Sequence, residues 1–196
     1  MGFLTEHCSF HLLTRNIIAT CQPFSCGNAD LDEFFLKDSP LYTENLLGKT
    51  YCYLLDEDPT IIVCAFTLSN DSVRVDHLPN SRKRKINDDI PREKQMRRYP
   101  AVLLGRLGVN KNFAGKGVGT ELMLFIKRWF VQPDNKTGCR YLVVDSYNQL
   151  STLRYYEKNG FHYLFSTEEQ ESENARLPLP LKTRYMYFDL IDIVRG

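Results

Sequence analysis

Gly115, Gly117 and Gly119 stand at every second position where a strand-like run gives way to a helix-like one, and that spacing suits a diphosphate. Without Cβ atoms the backbone there can take unusual φ/ψ values and let a ligand come close. The first N–H groups of a helix lack internal partners and sit at the positive end of its dipole, so an anion is their natural occupant. Alternating glycines also serve a plain strand-to-helix turn, and by themselves they leave both readings open. A Walker loop is excluded, because Thr120-Glu121 follows Gly119 where Lys-Ser/Thr is needed. The dinucleotide fingerprint fits poorly. Thr120 stands at its third glycine, a five-residue loop precedes Gly115, and Asp145 comes late for the ribose-binding acid.

The elements that must position these glycines read clearly on either side. Val102, Leu103, Leu104, Leu107 and Val109 make an apolar run of strand length, stopped by Asn110, Lys111 and Asn112. Beyond the loop, Val118, Leu122, Phe125 and Trp129 recur at helical spacing. Met123 and Ile126 widen that stripe, and Lys127 and Arg128 fall in the last turns. Upstream, residues 10–27 read as an edge strand and a loop. Asn28 or Asp30 can then cap a helix carrying Leu31, Phe34 and Phe35. A short second helix follows Ser39-Pro40, with Leu41, Leu46 and Leu47 expected inward. Residues 51–55 and 61–68 form a hairpin, and Tyr141-Leu-Val-Val-Asp145 is a further strand. Periodicity alone yields a mixed α/β chain.

Two stretches carry a resemblance to a known family. The strand–loop–helix just described resembles the acyl-coenzyme A pyrophosphate loop of the GNAT (GCN5-related) N-acetyltransferases, usually Gln/Arg-x-x-Gly-x-Gly/Ala. Gly117-Val118-Gly119 fit its end, with Ala114 where Gln or Arg is usual. Leu153-Arg-Tyr-Tyr-Glu-Lys-Asn-Gly-Phe161 looks like the family's Phe-Tyr-x-x-x-Gly-Phe helix end. The segment Phe24 to Phe35, Leu104-Gly-Arg-Leu107 and Leu177-Pro-Leu-Pro-Leu-Lys182 are similar to a subgroup that includes toxins acetylating the α-amine of aminoacyl-tRNA. The resemblance implies an α/β (α+β) fold: a single GNAT-like domain over 1–196, with a mixed central sheet splayed at the cofactor site and helices on both faces. The basic segment at about 80–100 is then an insertion.

The resemblance also implies an activity, transfer of an acetyl group from acetyl-coenzyme A to a primary amine. The pantetheine arm would lie in the splay between strands 102–109 and 141–146. N–H groups near Leu107, Gly108 and Val109 would polarise the thioester carbonyl. Ala114, Gly115, Lys116, Gly117, Val118, Gly119 and Thr120 would hold the diphosphate, with Lys116 or Lys111 replacing the charge that Ala114 lacks. Asn148 would bond the pantetheine amides or cap the helix after it. Tyr156 takes the family's general-acid position, and a phenol of pKa about 10 can donate to a thiolate as it forms. The competing role for Tyr156 is a core aromatic. Tyr155 is expected to pack. A free α-amine, with a pKa of roughly 7.7–8.0, needs little help from a base, whereas a lysine amine at about 10.4 needs a dedicated one. Glu44 and Asp145 are the only candidates for that base.

Charge bears on the acceptor. Arg82–Arg98 holds eight basic residues (82, 83, 84, 85, 92, 94, 97 and 98) against Asp88, Asp89 and Glu93, a local balance of +5 in a chain of net +1. Lys83, Arg84, Arg97, Arg98 and Arg106 are the candidate contacts to an RNA acceptor, against the plain reading of a solvated surface rich in Lys and Arg. Glu168, Glu169, Glu171 and Glu173 read as a solvated acidic loop. Candidate partners are a primary-amine acceptor (aminoacyl-tRNA among them), an antitoxin protein and a second copy of the chain. Small metabolites, protein amines and a non-catalytic acyl-CoA-binding module are the alternatives. The six cysteines lack metal-ligand spacing and no metal is expected. Nothing near the N-terminus reads as a signal or a membrane span, so a soluble cytoplasmic protein is expected.

Overall fold

The computed structural model describes residues 2–88, 90, 91 and 94–196. Helix α1 (Phe3–His7) leads into β1 (Cys8–Leu12), followed by α2 (Arg15–Thr20), α3 (Ala29–Glu33), a π-helical turn (Phe34–Asp38) and α4 (Ser39–Glu44). Strands β2 (Lys49–Leu55) and β3 (Ile62–Arg74) come next, then α5 (Asn80–Asn87), β4 (Arg98–Val109), α6 (Val118–Phe130) and β5 (Tyr141–Tyr147). Helix α7 (Leu150–Lys158), β6 (His162–Tyr163), α8 (Glu168–Ala175), β7 (Thr183–Asp189) and α9 (Ile191–Arg195) complete the chain. The strands form one mixed seven-stranded sheet in the order β1-β2-β3-β4-β5-β7-β6, with β4 and β5 parallel over Ala101↔Tyr141 to Leu103↔Val143. The chain divides into two compact units, Met1–Ser69 with Leu104–Ile126, and Asn70–Leu103 with Lys127–Gly196.

In the first unit, β1 and β2 pair antiparallel from Cys8↔Leu55 to Leu12↔Tyr51, and β2 pairs β3 likewise. Asn28 caps α3, its side chain accepting from the N–H groups of Asp30 and Leu31. Phe34 and Phe35 then enter a core with Leu13, Phe24, Cys52, Leu54 and Ile62. The 10–27 region is more than strand and loop, because Thr14 caps the six-residue α2. Leu41, Leu46 and Leu47 do not point inward. The α4 helix ends after Glu44, Leu46 takes φ +57° in the turn behind it, and all three side chains are exposed.

In the second unit, β4 begins at Arg98 rather than at residue 102, because Tyr99 and Ala101 are buried with Val73, Val75, Ile86, Tyr141 and Tyr187. Strand β3 likewise runs past residue 68 to carry Val73 into that core. The basic segment folds in part as α5. Asp89, Arg92 and Glu93 of that segment lie outside the described residues. Arg82 is spent internally, its guanidinium donating to the Leu164 and Tyr163 carbonyls.

The acidic stretch departs from the sequence reading, and one last-turn cation is buried where it was expected along the chain. The acidic stretch is α8, not a loop, and Glu171 within it is 6% exposed. It receives the Arg184 Nε–H at 2.7 Å and the Tyr185 N–H at 2.5 Å, while Glu168 accepts from Leu181 N–H and from Asn148. Lys127 is buried in the last turns of α6, its Nζ bonded to the Asn159 carbonyl and 3.5 Å from the Phe188 ring centroid. Burial lowers its pKa to about 8, against an opposing pull from Asp192. The folded pKa lies below the unfolded one, so above pH 8 the unfolded chain keeps a proton that the folded chain has released. Stability from this group therefore rises with pH. Relative to Lys127→Met, the wild type should gain about 2–3 kcal/mol between pH 7 and pH 10. Urea denaturation of both proteins at the two pH values checks this; a constant difference would show that Phe188 keeps the ammonium charged.

Candidate active site

The glycine loop lies in the first unit, and its approach is fixed before the glycines begin. Asn110, at the end of β4, is buried. It donates its N–H to the Val63 carbonyl and its side-chain amide to the Ile62 carbonyl, and its Oδ1 accepts from Asn112 N–H. Lys111 N–H reaches the Ser25 carbonyl. From these anchors the chain turns through exposed Ala114, Gly115 and Lys116 to Gly117. Gly115 (φ +74°) and Gly117 (φ +83°) take the left-handed conformation that L side chains resist, and a Cβ at either would meet open space. The turn therefore needs both glycines for its backbone shape, and it leaves room outside them.

Val118, buried, seats the first turn of α6, and the N–H groups of Thr120 and Glu121 both converge on the Gly117 carbonyl at 3.1 Å. Thr120 is thus committed to closing the helix. Lys116 does not extend outward as a replacement charge: its Nζ donates to the Asn112 carbonyl at 3.0 Å and lies 5.7 Å from the Phe113 ring centroid. On β4, Leu107 and Val109 are half-buried and Gly108 is buried. A Cβ on Gly108 would press on Phe35 and Cys26 at 3.1–3.2 Å, so this glycine admits close packing of the π-helical turn. Arg106 stacks its guanidinium 5.0 Å over Phe34 and donates to Gly105 O, while its buried Nε has no hydrogen-bond partner.

The second unit holds the other predicted residues. Tyr156 is buried on α7, edge-on to Tyr155 and Phe161 at 5.2 and 5.3 Å between ring centroids. The helix stops at Lys158, with Asn159 at its C-cap and Gly160 at φ +77°. Gly160 is obligatory there for a second reason, since a Cβ would stand 3.1 Å from the Phe188 ring. Among the described residues no hydrogen bond ties the Tyr156 hydroxyl, and burial raises its pKa above the ordinary phenol value.

Asn148 neither caps α7, whose N-cap is Gln149, nor keeps its amide free. Its Nδ2 donates to the Leu181 carbonyl at 2.9 Å and to Glu168 at 3.0 Å. Lys83 and Arg84 on α5, and Arg97 and Arg98 at the start of β4, are exposed. Of the two candidate bases, Glu44 is fully exposed in a paired contact with Arg15 at 2.8 and 3.0 Å, and that hydrogen-bonded guanidinium holds its pKa below the usual carboxylate range. Asp145 instead lines an open groove of about 1130 Å³ in the second unit, with Ser72, Arg176, Lys182 and Tyr185. Among the described residues no group of three His, Cys, Asp or Glu side chains could hold a metal, and no helix is long and apolar enough to cross a membrane.

Residues 84–163, which span the glycine loop and Tyr156, match the acetyltransferase (GNAT) domain. The chain is 24% identical over 159 residues to a tRNA-acetylating toxin of Mycobacterium tuberculosis (strain ATCC 25618 / H37Rv), covering 81% of this chain and 84% of that protein. A tyrosine-to-phenylalanine mutant of KacT superposes with TM-score 0.71 at 17% identity, over 97% of this chain and 99% of that one. AtaT complexed with acetyl-methionyl-tRNAfMet gives TM-score 0.71 at 18% identity, over 96% and 98%. AtaTR bound with AcCoA gives 0.65 at 19%, over 97% and 98%. The match to the acetyltransferase (GNAT) domain covers residues 84–163, and the chain shares the fold of these solved structures. In sequence it resembles a tRNA-acetylating toxin.

Proposed function

We propose that this chain, acting as one catalytic domain, moves an acetyl group from acetyl-coenzyme A to the α-amine of aminoacyl-tRNA. The observation that carries the enzymatic reading is Tyr156, held on α7 within the stretch that matches the acetyltransferase (GNAT) domain, with a hydroxyl that makes no hydrogen bond among the described residues. In this reading the backbone from Gly115 to Gly119 takes the diphosphate at the head of α6. N–H groups of Leu107 to Val109 stabilise the oxyanion as the amine adds to the thioester carbonyl. The tetrahedral adduct then collapses, the C–S bond breaks, and Tyr156 gives its proton to the departing thiolate. Asn148 acts by holding the Glu168–Leu181 corner at the end of β5. Thr120 acts by fixing the Gly117 carbonyl.

An esterified amino acid suits a site with no strong base, because its amine is deprotonated near neutral pH. Glu44, pinned by Arg15, is a poor base, and an α-amine does not need it. The exposed cations of α5 and early β4 favour a polyanionic acceptor. A relative in complex with tRNA and another with its antitoxin support aminoacyl-tRNA and an antitoxin protein as partners, in the cytoplasm where charged tRNA is found. A second copy of this chain is a further proposed partner.

The test incubates the purified protein with acetyl-coenzyme A and a mixed aminoacyl-tRNA pool, following thiol release and acetylated product. Release with RNA that weakens steeply as salt rises is the expected result. Donor binding without release would redirect the acceptor to metabolites or protein amines, which the near-neutral net charge of +1 favours. No binding of the donor would leave a fold without the activity.

A further inference from the structure

We infer that helix α1 is a brace that sets the affinity of the glycine loop for its nucleotide diphosphate, and that Glu121 and Phe3 are the positioning residues through which it acts. The inference rests on the reading of that loop as the donor site. Glu121 stands in the first turn of α6, one residue beyond Thr120. A carboxylate there is favoured by the helix dipole, and in this structure it also reaches across to α1.

The structure ties this carboxylate to α1. Glu121 Oε2 accepts from Leu4 N–H at 3.0 Å, and Oε1 accepts from Thr5 N–H at 3.2 Å and from the Thr5 hydroxyl at 3.3 Å. Those N–H groups are the unpaired donors at the start of α1, whose own N-cap, Gly2, supplies no side-chain bond. A side chain at Gly2 would overlap the Glu121 carboxylate, so the cap is closely fitted. One carboxylate thus satisfies two donors of α1 and ties that helix to the first turn of α6.

The second strut is aromatic. Phe3 packs on Phe113 at 5.6 Å between ring centroids, and Lys116, the residue between the two left-handed glycines, lies over Phe113 at 5.7 Å. Phe113 N–H is tied to the Asn110 carbonyl, so the ring that Phe3 touches belongs to the rigid approach of the loop. Helix α1 therefore holds the loop at both ends, through Phe113 before the glycines and through Glu121 after them.

The experiment measures the Kd for coenzyme A by titration calorimetry and the steady-state constants for acetyl-coenzyme A, in wild type, Phe3→Ala, Glu121→Ala, Glu121→Gln and Phe3→Ala/Glu121→Ala. The expected result is a three- to tenfold rise in Kd and in donor KM for each alanine variant, with kcat at saturating donor within about twofold. The double variant should be little weaker than the worse single, since both act on one brace. Glu121→Gln, which keeps an acceptor oxygen and loses the charge, should bind within about twofold of wild type. Wild-type Kd in both alanine variants would overturn the inference, as would a fall in kcat at unchanged Kd. Gly117→Val separates the two levels: if it too binds coenzyme A like wild type, the loop is not the donor site and the brace falls with it. Should Glu121→Ala unfold, Phe3→Ala and Glu121→Gln still carry the comparison.

Discussion

Tyr156→Phe should leave the chain folded and able to bind acetyl-coenzyme A, and should cut kcat by about 10- to 1000-fold, the range expected when a general acid is lost. The phenylalanine keeps the ring and with it the edge-on contacts to Tyr155 and Phe161. It deletes only a hydroxyl that makes no hydrogen bond among the described residues, so no buried partner is orphaned and stability should change by less than about 1 kcal/mol. The kinetic loss has a different origin. A tenfold slowing is about 1.4 kcal/mol of barrier, and it arises only where the thiolate must leave without a proton. The thiol ordinarily titrates near pH 8.5, and the same apolar surroundings that raise the phenol's pKa make a bare thiolate costly.

The sign of the pH dependence follows from the direction of the Tyr156 shift. Burial raises the phenol's pKa, so the acid stays protonated well past neutrality. The wild-type rate at saturating donor and acceptor should therefore show no descending limb from this group up to about pH 10, the ordinary phenol value. Pre-steady-state and steady-state thiol release over pH 6–9.5, wild type beside Tyr156→Phe, reads both effects. A phenylalanine variant with wild-type kcat would reduce Tyr156 to packing.

What was legible in the sequence was local. Gly115, Gly117 and Gly160 are demanded by backbone conformation at single positions, and each sits in a stretch whose flanking periodicity names the elements it joins. The strand before the loop, the helix after it and the helix ending in Gly160-Phe161 were readable for that reason. Helices α1 and α2 were not, because five and six residues are too few to display an apolar stripe. The cap of α1 comes from Glu121, more than a hundred residues away, where no local rule looks for it. Charge misled in the same manner. Arg82 belongs by sequence to a solvated basic run, yet it is consumed by carbonyls of the second unit, and nothing local shows that the last-turn Lys127 is buried against another. Asn148, which the sequence offers as ligand or cap, bonds a segment more than thirty residues further on. These polar residues share one property: their partners are set by tertiary contact.

The same lesson yields the largest stability effect. Glu171→Ala should destabilise the protein by about 3–5 kcal/mol, because it breaks a buried ion pair from one side. Both side chains are nearly enclosed, Glu171 at 8% and Arg184 at 11% exposure, so water cannot take the carboxylate's place. The substitution strands the Arg184 Nε–H and the Tyr185 N–H together, a charge and a backbone donor at the start of β7. Glu171→Gln should cost less, about 1.5–3 kcal/mol, since one amide oxygen still accepts from Tyr185 while the charge-assisted bond is lost. Replacing the pair with apolar side chains, Glu171→Leu with Arg184→Met, should recover much of the loss, because it removes both desolvated charges at once. Arg184 also lies over the Tyr163 ring at 4.8 Å, and methionine retains an apolar contact there. Urea denaturation at pH 7 of the three variants and the wild type reads the series directly. A loss below about 1 kcal/mol for Glu171→Ala is the value of an exposed pair, and it would mean that α8 opens easily enough for water to reach Arg184. The ordering of the three variants then decides between an enclosed ion pair that anchors α8 to the sheet and a helix that lifts away from it.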